Sequence, residues 1–196
     1  MRIKEIKVYK FTELSDNAKE HAIEKLCDIN VDHAFWYDYE DKKEIASRMG
    51  IEIDNIYWSG FSSQGDGACF EGSYEYKKGS VKAVKDYAPI DEELHQIVIA
   101  LQKVQKEAFY GISANIKHSG HYYHKYCTDI SVEMPENIGQ EKFTEIEDTI
   151  IELLRDYMQW IYGQLKKEYE YQTSEEAIIE TINANDYEFT EDGELA

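Results

Sequence analysis

The chain has 196 residues and carries 40 acidic against 21 basic side chains, a formal charge of −19. That length suits one domain with its own core, and sixteen Tyr, seven Phe and three Trp are more large apolar groups than a disordered acidic chain carries. A pI near 4.6, with no concentrated run of Lys and Arg, excludes direct nucleic-acid binding by counterion release.

Residues 3–11 alternate Ile3, Ile6, Val8 and Phe11 with Lys4, Lys7 and Lys10, which predicts an edge strand. Ser15 is placed to cap a first helix through Ala18, Ala22, Ile23 and Leu26. A second helix over Asp32 to Met49 turns Phe35, Trp36, Tyr39, Ile45 and Met49 inward and ends at Gly50. Ile51 to Trp58 then predicts a strand. Its partner places Ala68, Phe70, Gly72, Tyr74 and Tyr76 on one face and Cys69, Glu71, Ser73 and Glu75 on the other. The two make a β-hairpin with an elaborate tip.

A short helix is expected around Val81 to Tyr87, and Pro89 with Asp91 starts a longer one carrying Leu94, Ile97, Val98, Leu101, Val104 and Ala108 on a single stripe. A second hairpin follows. Ile112, Ala114, Ile116 and His118 share a parity with Tyr122, His124, Tyr126, Ile130, Val132 and Met134. A two-residue turn would set odd residues against even ones and break the apolar face. A three-residue turn at Ser119, Gly120 and His121, pairing His118 with Tyr122 and Ile116 with His124, keeps it. The longest helix runs from about Gln140 to Lys167, with Phe143, Ile146, Ile150, Leu153, Leu154, Tyr157, Trp160, Ile161 and Leu165 at helical spacing. Thr173 and Glu176 have the form of a capping box before Ala177, Ile178, Ile179 and Ile182. A short strand over 185–190 closes the series. Hairpins and helices in blocks predict an α+β fold, a single domain with an antiparallel sheet covered by long amphipathic helices.

Three unpaired cysteines, Cys27, Cys69 and Cys127, indicate a reducing compartment. The opening residues hold no apolar leader, and Ile97 to Leu101, the longest uncharged apolar run, is far too short to span a bilayer. A cytoplasmic protein without membrane attachment is expected.

The candidate functional residues fall in two groups. The hairpin tip, Ser59, Gly60, Phe61, Ser62, Ser63, Gln64, Gly65, Asp66 and Gly67, combines three glycines with many side-chain donors and acceptors. It reads either as a turn held by Asp66 and the serines or as a recognition loop. Asp66 stands where a P-loop needs Lys, so the tip is no phosphate cradle. The second group is His118, His121, Tyr123 and His124. With Cys127 these histidines have a three-residue spacing that invites a metal reading, but on a hairpin only His118 and His124 share a face. No metal, cofactor or catalytic residue is assigned, because no HExxH, triad order or carboxylate pair stands out.

The run Tyr57-Trp58-Ser59-Gly60-Phe61-Ser62-Ser63-Gln64-Gly65-Asp66-Gly67-Ala68-Cys69-Phe70-Glu71-Gly72 resembles a family of small phage and bacterial proteins with a Y-x-SGF-x-SQGDGA-x-F-x-G signature. The opening, with Phe11, Leu14, Ser15 and Ala18, is similar to theirs, as is the ending from Thr173 to Ala177 and from Asn185 to Gly193. Members are sometimes labelled antitoxin of a toxin-antitoxin stability system. The resemblance implies a mobile-element context and an inhibitor that binds a toxin or host protein. Within that reading Ser62, Gln64 and Asp66 give polar specificity and Phe61 an apolar anchor. The alternative is a nucleotide-binding protein, sponge or enzyme whose pocket joins the tip to His118, His121, Tyr123 and His124. A third reading takes the acidic surface as an imitation of DNA, whose binding would weaken steeply with salt.

Overall fold

Two separate apolar sets divide the chain. A computed structural model describes residues 7–136 and 138–196, the side chains of 32–38 excepted. It clusters into one unit made of the N-terminal segment up to Trp36 with Lys166–Ala196, and a second made of Tyr37–Leu165. The fold is α+β, as the pattern predicts. Among the described residues no helix is long and apolar enough to cross a membrane.

In the first unit, among the described part of the expected strand over 3–11, β1 is Tyr9–Lys10, followed by a 3-10 turn over Phe11–Glu13. Residues 3–6 lie outside the described residues. The Glu13 carboxylate accepts the Lys10 N–H at 2.7 Å and bends the chain there. Ser15 caps α1, Asp16–Lys25, accepting from Ala18 N. α2, Val31–Met49, begins in this unit; the inward placement of Phe35 and Trp36 lies outside the described side chains. α5, Gln140–Gln172, ends in it, five residues later than its pattern predicts. The cap of α6, Glu175–Ala184, is Ser174 and not Thr173, whose hydroxyl donates back to Tyr169 O at 2.8 Å. The last strand, β6, is Glu188–Phe189, antiparallel to β1 with Tyr9 opposite Phe189. Phe11, Leu14, Ala18, Ala22, Ile178, Ile182 and Phe189 form the buried core of this unit.

In the second unit β2, Ile51–Ser59, β3, Gly67–Glu75, β4, Ser113–His118, and β5, Thr128–Glu133, form an antiparallel sheet in chain order. Gly50, at φ 93°, ends α2 as expected and turns the chain into β2. The pairing shifts between Ile53 and Asn55, so Asp54 is an extra residue in β2. Below it Ile51 and Ile53 face Tyr74 and Gly72; above it Ile56 and Trp58 face Phe70 and Ala68. These residues share one face of the sheet. Tyr57, opposite Cys69, and Asn55, opposite Glu71, take the other.

Helices cover the first face. Phe70 meets Tyr157 of α5 edge to face at 6.1 Å, and the Tyr157 hydroxyl donates to Lys42 O at 2.6 Å. α3, Ser80–Tyr87, leads to α4, Glu92–Glu107, whose N-cap Asp91 accepts from Leu94 N and, through its other oxygen, from Trp160 Nε1 at 2.9 Å. Fully buried Gln105 on α4 donates to Ile112 O and accepts from Ile112 N, clasping the start of β4.

The second hairpin corrects the predicted turn. Even residues do pair with even ones, but as Ile116 with Ile130 and His118 with Thr128. His118 is not opposite Tyr122, nor Ile116 opposite His124. The turn is not the three residues 119–121 but the whole segment 119–127, closed by Ser119 N donating to Cys127 O at 2.8 Å. Parity is unchanged by any even shift, so the alternation cannot tell a short turn from a long one.

Gly193 tests the first unit. It has φ 88°, and a Cβ there would stand 2.2 Å from Ala18 O on α1. Gly193→Ala is expected to cost more than about 1 kcal/mol, with faster hydrogen exchange across 186–196. Unchanged exchange in that segment would contradict the packing.

Candidate functional site

The tip is built from its one carboxylate outward. Asp66 Oδ2 accepts the N–H groups of Ser62 at 2.9 Å and Ser63 at 2.6 Å, and Asp66 N donates to Ser63 O. Gly65 supplies the left-handed step at φ 95° that the turn requires. Phe61 is stacked between Trp58, with ring centroids 5.3 Å apart, and Tyr162 of α5 at 5.5 Å. The Tyr162 hydroxyl donates to Gly60 O at 3.2 Å. Ser59 closes the hairpin opposite Gly67. The tip is thus anchored on the helix-covered face by Phe61 and turns Ser62, Ser63 and Gln64 to solvent.

On the other face segment 119–127 folds back over the hairpin. Gly67 lies so close to His124 that a Cβ would stand 2.6 Å from its Cα and Cβ. Gly65 lies against the Tyr122 ring, at 3.5 Å from where its Cβ would be. Of the second group singled out from the sequence, His124 therefore meets the tip, with Tyr122 beside it, whereas His118, His121 and Tyr123 do not line the space between them. Gln64, Gly65, Asp66, Tyr122, His124 and Tyr126 line one open cavity of about 610 Å³.

Beneath it the rings and hydrogen bonds are interlocked. The ladder between β3 and β4 ends at Gly72 with Ile116, and the His118 N–H turns to Glu71 Oε1 at 3.2 Å. Freed from that ladder, the His118 ring leaves the apolar set its parity assigned to it. It lies 5.0 Å from Tyr57 and 5.3 Å from Tyr123, with Tyr57 and Tyr123 nearly parallel at 5.7 Å. His118 Nε2 is 2.9 Å from Tyr122 O, which only accepts, so that nitrogen carries a proton. Glu71 Oε2 accepts the Tyr57 hydroxyl at 2.7 Å. The Tyr57 bond first, then the His118 N–H, holds the Glu71 carboxyl below its ordinary range.

His124 is not on a strand and does not share a sheet face with His118. Its Nδ1 accepts the Tyr126 N–H at 3.2 Å, and its ring lies nearly parallel to Tyr122 at 6.3 Å. Cys127 Sγ is 3.4 Å from His124 Nε2. Cys69, fully buried under the same segment, has its thiol pushed up to about 12 by burial and by its neighbours Cys127 and Glu71. His121 stays exposed at the apex, edge-on to Tyr122 at 5.4 Å. Among the described residues no group of three His, Cys, Asp or Glu side chains is arranged to hold a metal.

Sequence reasoning passed over Tyr57, Glu71, Tyr122, Tyr126 and Tyr162. The one signal available for Glu71 was an acidic residue between Cys69 and Ser73 in the middle of a strand face that also carries Glu75. What the arrangement offers chemically is recognition: exposed rings, free polar groups at the tip, and a rigid support under both.

Glu71 should set the acid limit of this region. Its native value is depressed, so its contribution is present above the ordinary glutamate range and is lost as pH falls through that depressed value. Acidification is expected to lower the protection factor of the His118 amide, its exchange measured against the intrinsic rate at each pH, and Glu71→Gln should abolish that dependence while leaving the protection of distant amides unchanged. An equal acid response in the variant would contradict the assignment.

No curated protein and no solved structure matches the chain. One family model does, over residues 35–175, which take in the sheet, the tip and segment 119–127. The chain belongs to the family described as a domain of unknown function, DUF8835.

Proposed function

We propose that the chain is a non-catalytic binding protein of the cytoplasm that neutralises a protein partner, a toxin or a host defence protein, through the surface shared by the hairpin tip and segment 119–127. The observation that carries this reading is that the two segments meet. Tyr122 is 57% exposed and Tyr126 61%, beside Tyr123, His121 and the outward Ser62, Ser63 and Gln64. Tyrosine offers a large, stiff contact area with a polar end, and small polar residues around it supply adaptable hydrogen bonds. A charge of −19 attracts a basic partner and hastens the encounter. The antitoxin label carried by proteins the sequence resembles supports a toxin as target and a mobile-element setting. Phe61 contributes indirectly, by holding the tip, and the anchors are Tyr122 and Tyr126.

The cavity favours a second reading. At about 610 Å³ with aromatic and polar walls, it has the size and lining of a small-molecule site; of the residues the alternative names beyond the tip, His124 lines it and His118, His121 and Tyr123 do not. A nucleotide at a hundredfold excess over its Kd would raise stability by about 2.7 kcal/mol, which a melting scan detects.

Partner binding is tested by isolating the chain gently from its natural host, identifying what remains bound by native mass spectrometry, and reconstituting the pair. Tyr122→Ala is expected to weaken the reconstituted complex by about 2 kcal/mol, roughly thirtyfold. Gly67→Ala should weaken it too, by displacing His124 and the segment above it. A complex indifferent to both substitutions would overturn the reading.

A further inference from the structure

We propose that the cavity between the tip and segment 119–127 receives an arginine side chain of a basic protein partner. The proposal rests on the partner-binding reading and names the group that the site is shaped for.

Three observations converge on a guanidinium. The first is charge: Asp66 lies in the cavity wall, and its Oδ2 is used by Ser62 N and Ser63 N. Oδ1 accepts no hydrogen bond among those of the described residues, and the carboxylate also lies against Gly60. The Gln64 side chain, exposed beside it, adds a second acceptor. A carboxylate and an amide oxygen suit the forked N–H groups of arginine better than the single point of an ammonium.

The second is the pair of rings. Tyr122 and His124 lie nearly parallel, 14° apart in plane, with centroids 6.3 Å apart. Tyr122, 57% exposed, offers a planar cation a ring to stack on beside His124. Arginine is the side chain that is planar, stacks on rings and is cationic at once. The third is that this wall already takes cations: Arg155 Cζ lies 5.1 Å and Lys125 Nζ 5.3 Å from the Tyr126 centroid. Neither opposes an incoming charge strongly, because Glu152 is 2.8 Å from Arg155 and Asp156 is 3.7 Å from Lys125.

The same groups argue against a phosphate. No cation on the described cavity wall is left without a carboxylate beside it, Asp66 would face the anion, and the chain as a whole is at −19.

The test uses the full-length chain with labelled tyrosine and histidine rings, titrated with the blocked pentapeptide Gly-Ser-Arg-Ser-Gly at physiological salt. Peptides with lysine or citrulline at the centre, and adenosine monophosphate, are titrated in parallel. The arginine peptide is expected to shift the Tyr122 and His124 signals with a Kd roughly tenfold lower than the lysine peptide, and citrulline should shift neither. Tyr122→Leu, which keeps an apolar contact with Gly65 but removes the ring, should weaken the arginine peptide about fivefold or more. Equal binding of arginine and lysine peptides, unaffected by Tyr122→Leu, would show general charge attraction and overturn the proposal. So would absent shifts, or adenosine monophosphate moving the same signals at lower concentration. If the arginine peptide fails while Tyr122→Ala still weakens the reconstituted complex, the arginine anchor falls and partner binding stands. Failure of both removes both.

Discussion

Between Gly67 and His124 there is no room for a side chain, and the upper half of the second unit depends on that close approach. It lets segment 119–127 lie flat on the sheet face that the helices leave uncovered. Cys69 is buried as a result, although its strand partner Tyr57 and its neighbour Glu71 belong to what would otherwise be a solvated face. A hairpin covered on both faces, by α5 on one side and by its own neighbouring connection on the other, is a firm base for a tip. The tip residues turned to solvent therefore sit on a fixed frame rather than on a swinging loop, which lowers the entropy lost when another molecule is held.

The support beneath the cavity is polar as well as steric. Glu71 stands where the β3–β4 ladder stops, and its two oxygens replace the missing strand partner for His118 while holding the Tyr57 hydroxyl. A carboxylate used in this way stays ionised readily, because both donors favour its charge. On the opposite face Trp58, Phe61 and Tyr162 do the corresponding work with stacked rings. One wall is fastened by hydrogen bonds and the other by aromatic packing.

Much of this was legible in the residue order. Ser15 caps α1 as expected, Asp91 stands at the start of α4, Gly50 turns the chain between α2 and β2, and even residues pair with even ones in the second hairpin, though not in the expected register. The length of the connection was not legible. Tyr122, His124 and Tyr126 alternate like a strand and have side chains that favour one, yet they belong to a segment that packs on a neighbouring hairpin. That competition is tertiary and leaves no local mark. The tip stood out because glycines and short polar residues have few uses other than close approach. Glu71 and Tyr57 did not, because a polar residue at an alternating position is what any half-exposed strand shows. Phe61 was legible as a buried-type residue in a polar loop, but whether it faces a partner or its own helix is decided by Tyr162, a hundred positions away in the chain.

Asp54 gives this arrangement its phase. A strand addresses its two faces by counting in twos, and one added residue changes which count is inward. Below Asp54 the odd residues Ile51 and Ile53 belong to the helix side; above it the even residues Ile56 and Trp58 do. The ring delivered to the helices is consequently Trp58, and the ring delivered to the histidine segment is Tyr57. A strand of uniform phase would exchange them, setting an indole against Glu71 and a phenol against Phe61. The identity of the aromatic group on each wall is thus set by a single supernumerary residue in the strand interior, away from either wall.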